Sequence, residues 1–319
     1  MLPYKLISSL ATAAAPPIDK VLASGGVRSA APRGEVSAVR ALTLDGFDEI
    51  AQAWSPILKA HGYRIDLRAV FCHSHPLVSF ARIPSPYAPA RPTSTGCCEL
   101  ADLLLVIDFV DPRSRQRDRR AVLIQAKRLK GNNLRPSGKE WIQHELLAWL
   151  PSFTFNDAVY DPRARDLSGN PTIGNPAFTA EYGGIELNPT QIGWSHWLPV
   201  RNTNKFEAVI DLASFLAGMA VGEGECARQA VAGGADDWSF TVDELLKVTA
   251  AKPIVKANPT VLRGNDNMVG FLMDTAPYLA IASGGGRDDF LEGDIPEWPE
   301  GPISTVKITL RSMDDPKMD

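Results

Sequence analysis

Apolar positions along the chain fall first into a helical pattern and then into strand-like ones. From Asp45, a residue type that favours helix N-caps, the segment GFDEIAQAWSPILKAHG spaces Phe47, Ile50, Ala51, Trp54, Ile57 and Leu58 along one face before Gly62, which predicts a helix. Pro56 inside it predicts a kink or an early break. YRIDLRAVF (63–71) and PLVSFARI (76–83) read as strands, and the proline-rich stretch 84–96 as a loop. ADLLLVIDF (101–109) is almost continuously apolar, as in a strand buried on both faces. DPRSRQRDR reads as a polar turn, RAVLIQAKR (120–128) as the next strand, and KEWIQHELLAWL (139–150) as an amphipathic helix ending at Pro151. Helix, strands and helix in that order predict an α/β fold with a central mixed sheet flanked by helices.

The flanking regions carry weaker patterns. Residues 1–44, rich in Ala, Pro, Gly and Ser, read as a short helix and a mobile or wrapping arm. After 152 the chain reads as an irregular stretch to about 190, a Trp-rich patch at 193–197 and a helix across 204–222. A shorter helix follows at 241–251, and a last strand at 303–311. The expected organisation is an N-terminal arm (1–44), a core (45–151) and a C-terminal α+β accessory region (152–319).

Composition narrows the class. Apolar residues make up 45% and charged ones 22% of the 319 residues, close to average usage, and no apolar run approaches the roughly 18–20 residues of a membrane span. The N-terminus loosely imitates a secretory signal, but Pro3, the single basic Lys5 and the polar Ser8, Ser9 and Thr12 argue against one. Cys72, Cys97, Cys98 and Cys226 show no disulfide or CxxC spacing, so small buried thiols in a reducing cytoplasm are expected, without structural zinc. The net charge of −4 argues against a wholly basic binding surface. Locally the balance reverses: ten basic residues between Pro112 and Lys139 stand against one acid, Asp118.

That basic run surrounds the chemistry. Metal-assisted phosphodiester hydrolysis needs oxygen ligands for a hard cation and a positive group for the developing charge. Residues two apart on a strand share a face, so Gln125 and Lys127 project together, and Asp102 at the start of the preceding strand can face them. CELADLLLV, a hairpin, then AVLIQAKR resembles the PD-(D/E)xK (restriction-endonuclease-like) nuclease superfamily in its QxK form, as in Mrr-like enzymes. The wording is also similar to nucleases of bacterial anti-phage defence.

The resemblance implies a restriction-endonuclease-like core and a Mg²⁺- or Mn²⁺-dependent DNA endonuclease. Asp102 then matches the metal-binding acid, Lys127 the lysine, and the Ala126 carbonyl a further ligand. Gln125 stands where the family usually has Asp or Glu, and an amide oxygen brings no formal charge. A compensating acid is expected at Glu99, or at Asp48 or Glu49 on the first long helix. Arg113, Arg115, Arg117, Arg119, Arg120, Arg128 and Lys130 are the expected nucleic-acid contacts.

Weaker candidates are His73 with His75, and Trp194, His196 and Trp197 as a base-stacking platform, each more simply read as structural. On the following helix, beside His144, Gln143 resembles a glutamine that some members of the superfamily use near the site, and a solvated polar face explains it equally well. P-loop and GxSxG patterns are absent. Two other functions are open to the same residues. One is a nuclease-like module that has lost catalysis and binds nucleic acid; the other is a subunit whose C-terminal half meets a partner protein or a second copy.

Overall fold

In the computed structural model the described residues are 1–72, 76–82, 94–111, 116–130, 133–134, 136, 140–168, 179–199, 205–224, 226–251, 262–263 and 303–313. The helices are α1 (Ile7–Ser24), α2 (Glu35–Ala41), α3 (Phe47–Ala60), α4 (Glu140–Trp149), α5 (Leu212–Val221) and α6 (Asp237–Ala251). The strands are β1 (Tyr63–Phe71), β2 (Leu77–Ala81), β3 (Thr95–Glu99), β4 (Leu103–Asp111), β5 (Gln116–Arg128), β6 (Phe153–Phe155), β7 (Ala180–Glu186), β8 (Gly193–Pro199), β9 (Phe206–Asp211), β10 (Arg228–Gln229), β11 (Leu262–Arg263) and β12 (Ser304–Ser312).

Among these residues nine strands form one mixed sheet in the order β11-β1-β12-β4-β5-β7-β8-β9, with β10 paired to β5. The terminal strand β12 lies parallel to β4 and antiparallel to β1, and β5 runs antiparallel to β4 and parallel to β7. Strands from either side of residue 151 therefore share one sheet. A second sheet, β3-β2-β6, stands apart from it. Two apolar layers cover the large sheet. Leu103, Leu105, Ile107, Val122 and Ile124 pack with α1, α3 and α5 on one face, while Leu104, Val106, Ala121 and Leu123 pack with α4, α6 and the small sheet on the other. The central α/β sheet flanked by helices is thus as expected from the pattern.

Several local expectations change. Residues 7–24 form one 18-residue helix whose Leu10, Ala14, Ile18 and Leu22 are buried in the core; the arm is a packed layer, pinned where Trp54 Nε1 donates to the Leu10 carbonyl at 2.8 Å. Asp45 caps no helix: α3 continues from a π-type turn at Leu42–Gly46, and the buried Asp45 carboxylate accepts from Ser29 Oγ at 2.6 Å and the Arg28 N–H at 3.1 Å. Pro56 lies within α3 without ending it. The expected helix 204–222 is strand β9 followed by α5, because Asp211 takes the N-cap by accepting from the Ser214 N–H at 2.9 Å. The stretch read as irregular contains β6 and β7, and the Trp-rich patch is β8. All four thiols are free, but Cys97 is exposed.

β7 carries two adjacent glycines for a steric reason. A Cβ on Gly183 would meet the Trp194 ring at 2.3 Å, and one on Gly184 would meet Trp197 Nε1 at 2.4 Å. The two tryptophans of β8 thus lie over the glycine backbone on opposite faces of the sheet. Gly183→Ala is expected to cost about 1–3 kcal/mol through overpacking; urea unfolding measures it, and an unchanged midpoint would show that Trp194 can move aside.

Candidate functional site

Strand period alone puts Arg117, Arg119, Ala121, Leu123, Gln125 and Lys127 on one face of β5. The two polar ends of that face have different environments. At the Gln125 end, β4 has not yet begun: the Asp102 N–H donates to the Ile124 carbonyl at 3.0 Å, so Asp102 sits beside Gln125. Asp102 Oδ2 accepts from the Ala126 N–H at 2.7 Å and from Gln125 Nε2. Gln125 Oε1 in turn accepts from Gln143 Nε2 of α4, which also donates to the Glu99 carbonyl at 3.3 Å.

Lys127 is the cation of the cluster. Its Nζ lies 3.1 Å from Glu140 Oε1, at the start of α4, and 3.5 Å from Glu35 Oε2, at the start of α2. Glu35 Oε1 also accepts the Arg128 N–H at 2.8 Å, which ties α2 to the end of β5. Burial by itself lowers the Lys127 pKa, but the charges of Glu35, Asp102 and Glu140 outweigh it and hold the ammonium above its usual value. Burial pushes the Asp102 carboxyl up to about 7; Lys127, the Ala126 N–H and Gln125 act against the rise, and Glu35 adds to it. A carboxyl whose pKa is higher folded than unfolded costs stability progressively as pH rises from its unfolded value, near 4, to its folded value, and the full cost is present above the folded value. Asp102→Asn in metal-free buffer is therefore expected to stabilise the protein more at pH 8 than at pH 5, as thermal unfolding at both pH values would reveal; equal shifts would mean Asp102 ionises without cost.

Asp102, Gln125, Ala126 and Lys127 are thus brought together. Glu99 reaches the site through its backbone carbonyl, and the acid whose charge acts on Asp102 is Glu35. Asp48 bonds to Gln52 and Glu49 to Lys20, on the outer face of α3. Glu35 was missed because it stands in a segment whose composition reads as an arm. Its one sequence signal was position: an acid following Gly34 at a helix start.

The described arginines of the basic run at the start of β5, Arg117, Arg119 and Arg120, lie away from the Asp102 end of the strand. Arg119 is buried at the opposite end of β5, roughly 25–30 Å from Lys127 at strand rise. It pairs with Asp108 at 2.9 Å and with Asp243 of α6, so it is not a surface for nucleic acid. Arg117 pairs with Asp108 at 2.7 Å, and Arg120 Nη1 donates to the Glu223 and Ala227 carbonyls. Arg128 and Lys130 are exposed beside the site. They border a cleft of about 110 Å³ lined also by Glu35, Lys127, Glu140, Tyr182 and Phe206. Arg113, Arg115, His73 and His75 lie outside the described residues. Trp194, His196 and Trp197 are buried and form core, with His196 stacked on Phe215 and bonded to Glu181. His144 is buried between Trp141 and Phe206, and desolvation lowers its pKa to about 4, which keeps it neutral.

No family model, curated protein or solved structure matches the chain.

The donors suit a hard cation in kind. Asp102, Glu35 and Glu140 act on one ammonium, and carboxylate, amide and carbonyl oxygens are the ligands Mg²⁺ and Mn²⁺ prefer. Among the described residues no three His, Cys, Asp or Glu groups converge closely enough to hold an ion between them. An ion here would rely on one or two carboxylates plus carbonyl oxygen and water, a usual arrangement for Mg²⁺. No helix among the described residues is long and apolar enough to cross a membrane.

Proposed function

We propose that the protein is a Mg²⁺- or Mn²⁺-dependent nuclease, a DNA endonuclease by its PD-(D/E)xK resemblance, with a place in anti-phage defence or restriction suggested by that resemblance alone. The observation that carries the reading is the junction of β4 and β5: Asp102, the QxK residues and the charge of Glu35 meet there, and Glu35 and Lys127 line a neighbouring cleft with Arg128 and Lys130 at its rim.

Asp102 and Glu35 would hold the cation, with the Ala126 carbonyl as a further oxygen. When bound, the cation supplies polarisation of the scissile phosphate and a lower pKa for an attacking water. Lys127, anchored between Glu35 and Glu140, stabilises negative charge developing on the phosphate. Arg128 and Lys130 hold the nucleic-acid backbone, a contact that weakens with salt. The test is nicking of supercoiled plasmid with Mg²⁺, Mn²⁺ or EDTA by the native protein and Asp102→Ala. Metal-dependent cutting lost in the variant is expected, and a native protein inert under every condition overturns the reading.

One observation favours a second reading, a nucleic-acid-binding module without catalysis: the Lys127 ammonium is already engaged by two carboxylates. Salt-sensitive DNA binding by a protein that never cuts would select it.

A further inference from the structure

We propose that Gln125 serves this site as a hydrogen-bond donor that orients Asp102, and that Gln143 is the positioning residue that fixes it in that role. The inference rests on the metal-dependent nuclease reading and assigns the departure from the usual acid a purpose: Gln125 is not a ligand.

A side-chain amide presents donors from its nitrogen and an acceptor from its oxygen, so two facing amides must agree on direction. The Gln143 NH₂ is committed. It donates to the Glu99 backbone carbonyl, which can only accept, and to Gln125 Oε1. With its oxygen taken, Gln125 turns its NH₂ to Asp102 Oδ2, beside the Ala126 N–H that reaches the same oxygen. Turning Gln125 over would set nitrogen against nitrogen at Gln143 and oxygen against oxygen at Asp102. Gln125 and Gln143 are both buried, so water does not readily replace a lost partner.

The order therefore runs from the Glu99 carbonyl, at the end of the small sheet, through Gln143 and Gln125 to Asp102. Two donors on Oδ2 fix the carboxylate plane and leave Oδ1 as the oxygen for a cation. A carboxylate at position 125 could not donate to Asp102 and would set a like charge beside it.

Two measurements on the full chain test this. Calorimetric titration with Mn²⁺ compares the native protein, Asp102→Ala and Gln143→Met, with circular dichroism confirming that each is folded. Gln143→Met is expected to weaken Mn²⁺ binding about 10- to 100-fold. Native-like binding by Gln143→Met, with binding lost in Asp102→Ala, overturns the orienting role and leaves the metal site standing; no binding by the native protein overturns both. The second needs no variant. In the native protein an NMR contact between the Gln125 side-chain NH₂ and the Ala126 amide proton is expected with and without Mg²⁺. Loss of that contact on adding Mg²⁺ would mean the amide turns its oxygen to the ion, and would overturn the proposal.

Discussion

Asp108→Asn is expected to cost about 3–5 kcal/mol of folding stability, the range for breaking a buried ion pair from one side. Asp108 is fully buried in the middle of β4, and three cations meet on it: Arg117 and Arg119 from β5, and Lys307 from β12 at 2.8 Å. Arg119 goes on to Asp243, which ties the cluster to α6. An asparagine keeps the shape and removes the charge, leaving Arg119 buried with one partner and Lys307 with none of its Asp108 contact. Urea unfolding gives the value. A loss within about 0.5 kcal/mol, the size of an ordinary surface substitution, would show that water reaches the cluster.

The same group sets an acid limit. Burial alone would raise the Asp108 pKa, but Arg117, Lys307 and Arg119 outweigh it and hold the carboxyl at about 2. A carboxyl depressed below its unfolded value stabilises fully above that unfolded value, near 4, and loses its contribution as pH falls towards 2. Native stability is therefore expected to drop over that window, and Asp108→Asn to flatten the drop.

Asp102→Ala is expected to reduce cleavage to the EDTA background, and Lys127→Ala to slow it about 10²–10³-fold, the usual cost of removing a group that stabilises transition-state charge. The two variants separate on metal binding. Asp102→Ala removes the carboxylate that would hold the ion, whereas Lys127→Ala removes a competing positive charge and should leave Mn²⁺ bound at least as tightly. Its partners Glu35 and Glu140 are partly exposed, so their loss of an ion pair changes stability little. Plasmid cleavage and Mn²⁺ calorimetry on the same preparations check both effects. Equal loss of metal binding in both variants would make Lys127 a structural support of Asp102.

Much of the scaffold around the site could be read from local pattern. The apolar run of β4, the alternation of β5, and the helical spacing of α3 and α4 each arise from residues close in sequence, where period and side-chain shape suffice. The boundary between β9 and α5 was hidden, because FEAVID fits a helix as well as a strand until Asp211 takes the cap. The packing of residues 7–24 is hidden from local pattern, because Ala-rich and Pro-rich composition does not disclose that α1 finds a partner in α5. At the site, Gln143 could be named from its helix position, but not its bond to Gln125, which depends on how α4 is set over the sheet.

By itself the amino-acid order determined that β4 is buried, that Gln125 and Lys127 share a face of β5, and that Asp102 can stand beside Gln125. These follow from the two-residue period of a strand and from apolar burial. That β5 begins at Gln116, and so carries Arg117 and Arg119 on the same face where a polar turn was expected, is a finding of the structure. Only the tertiary structure decided that one end of that face becomes a closed ion cluster and the other an open cleft. Asp243, Lys307 and Glu35 come from distant parts of the chain, and charge is neutralised by whatever the packing brings within a few ångströms.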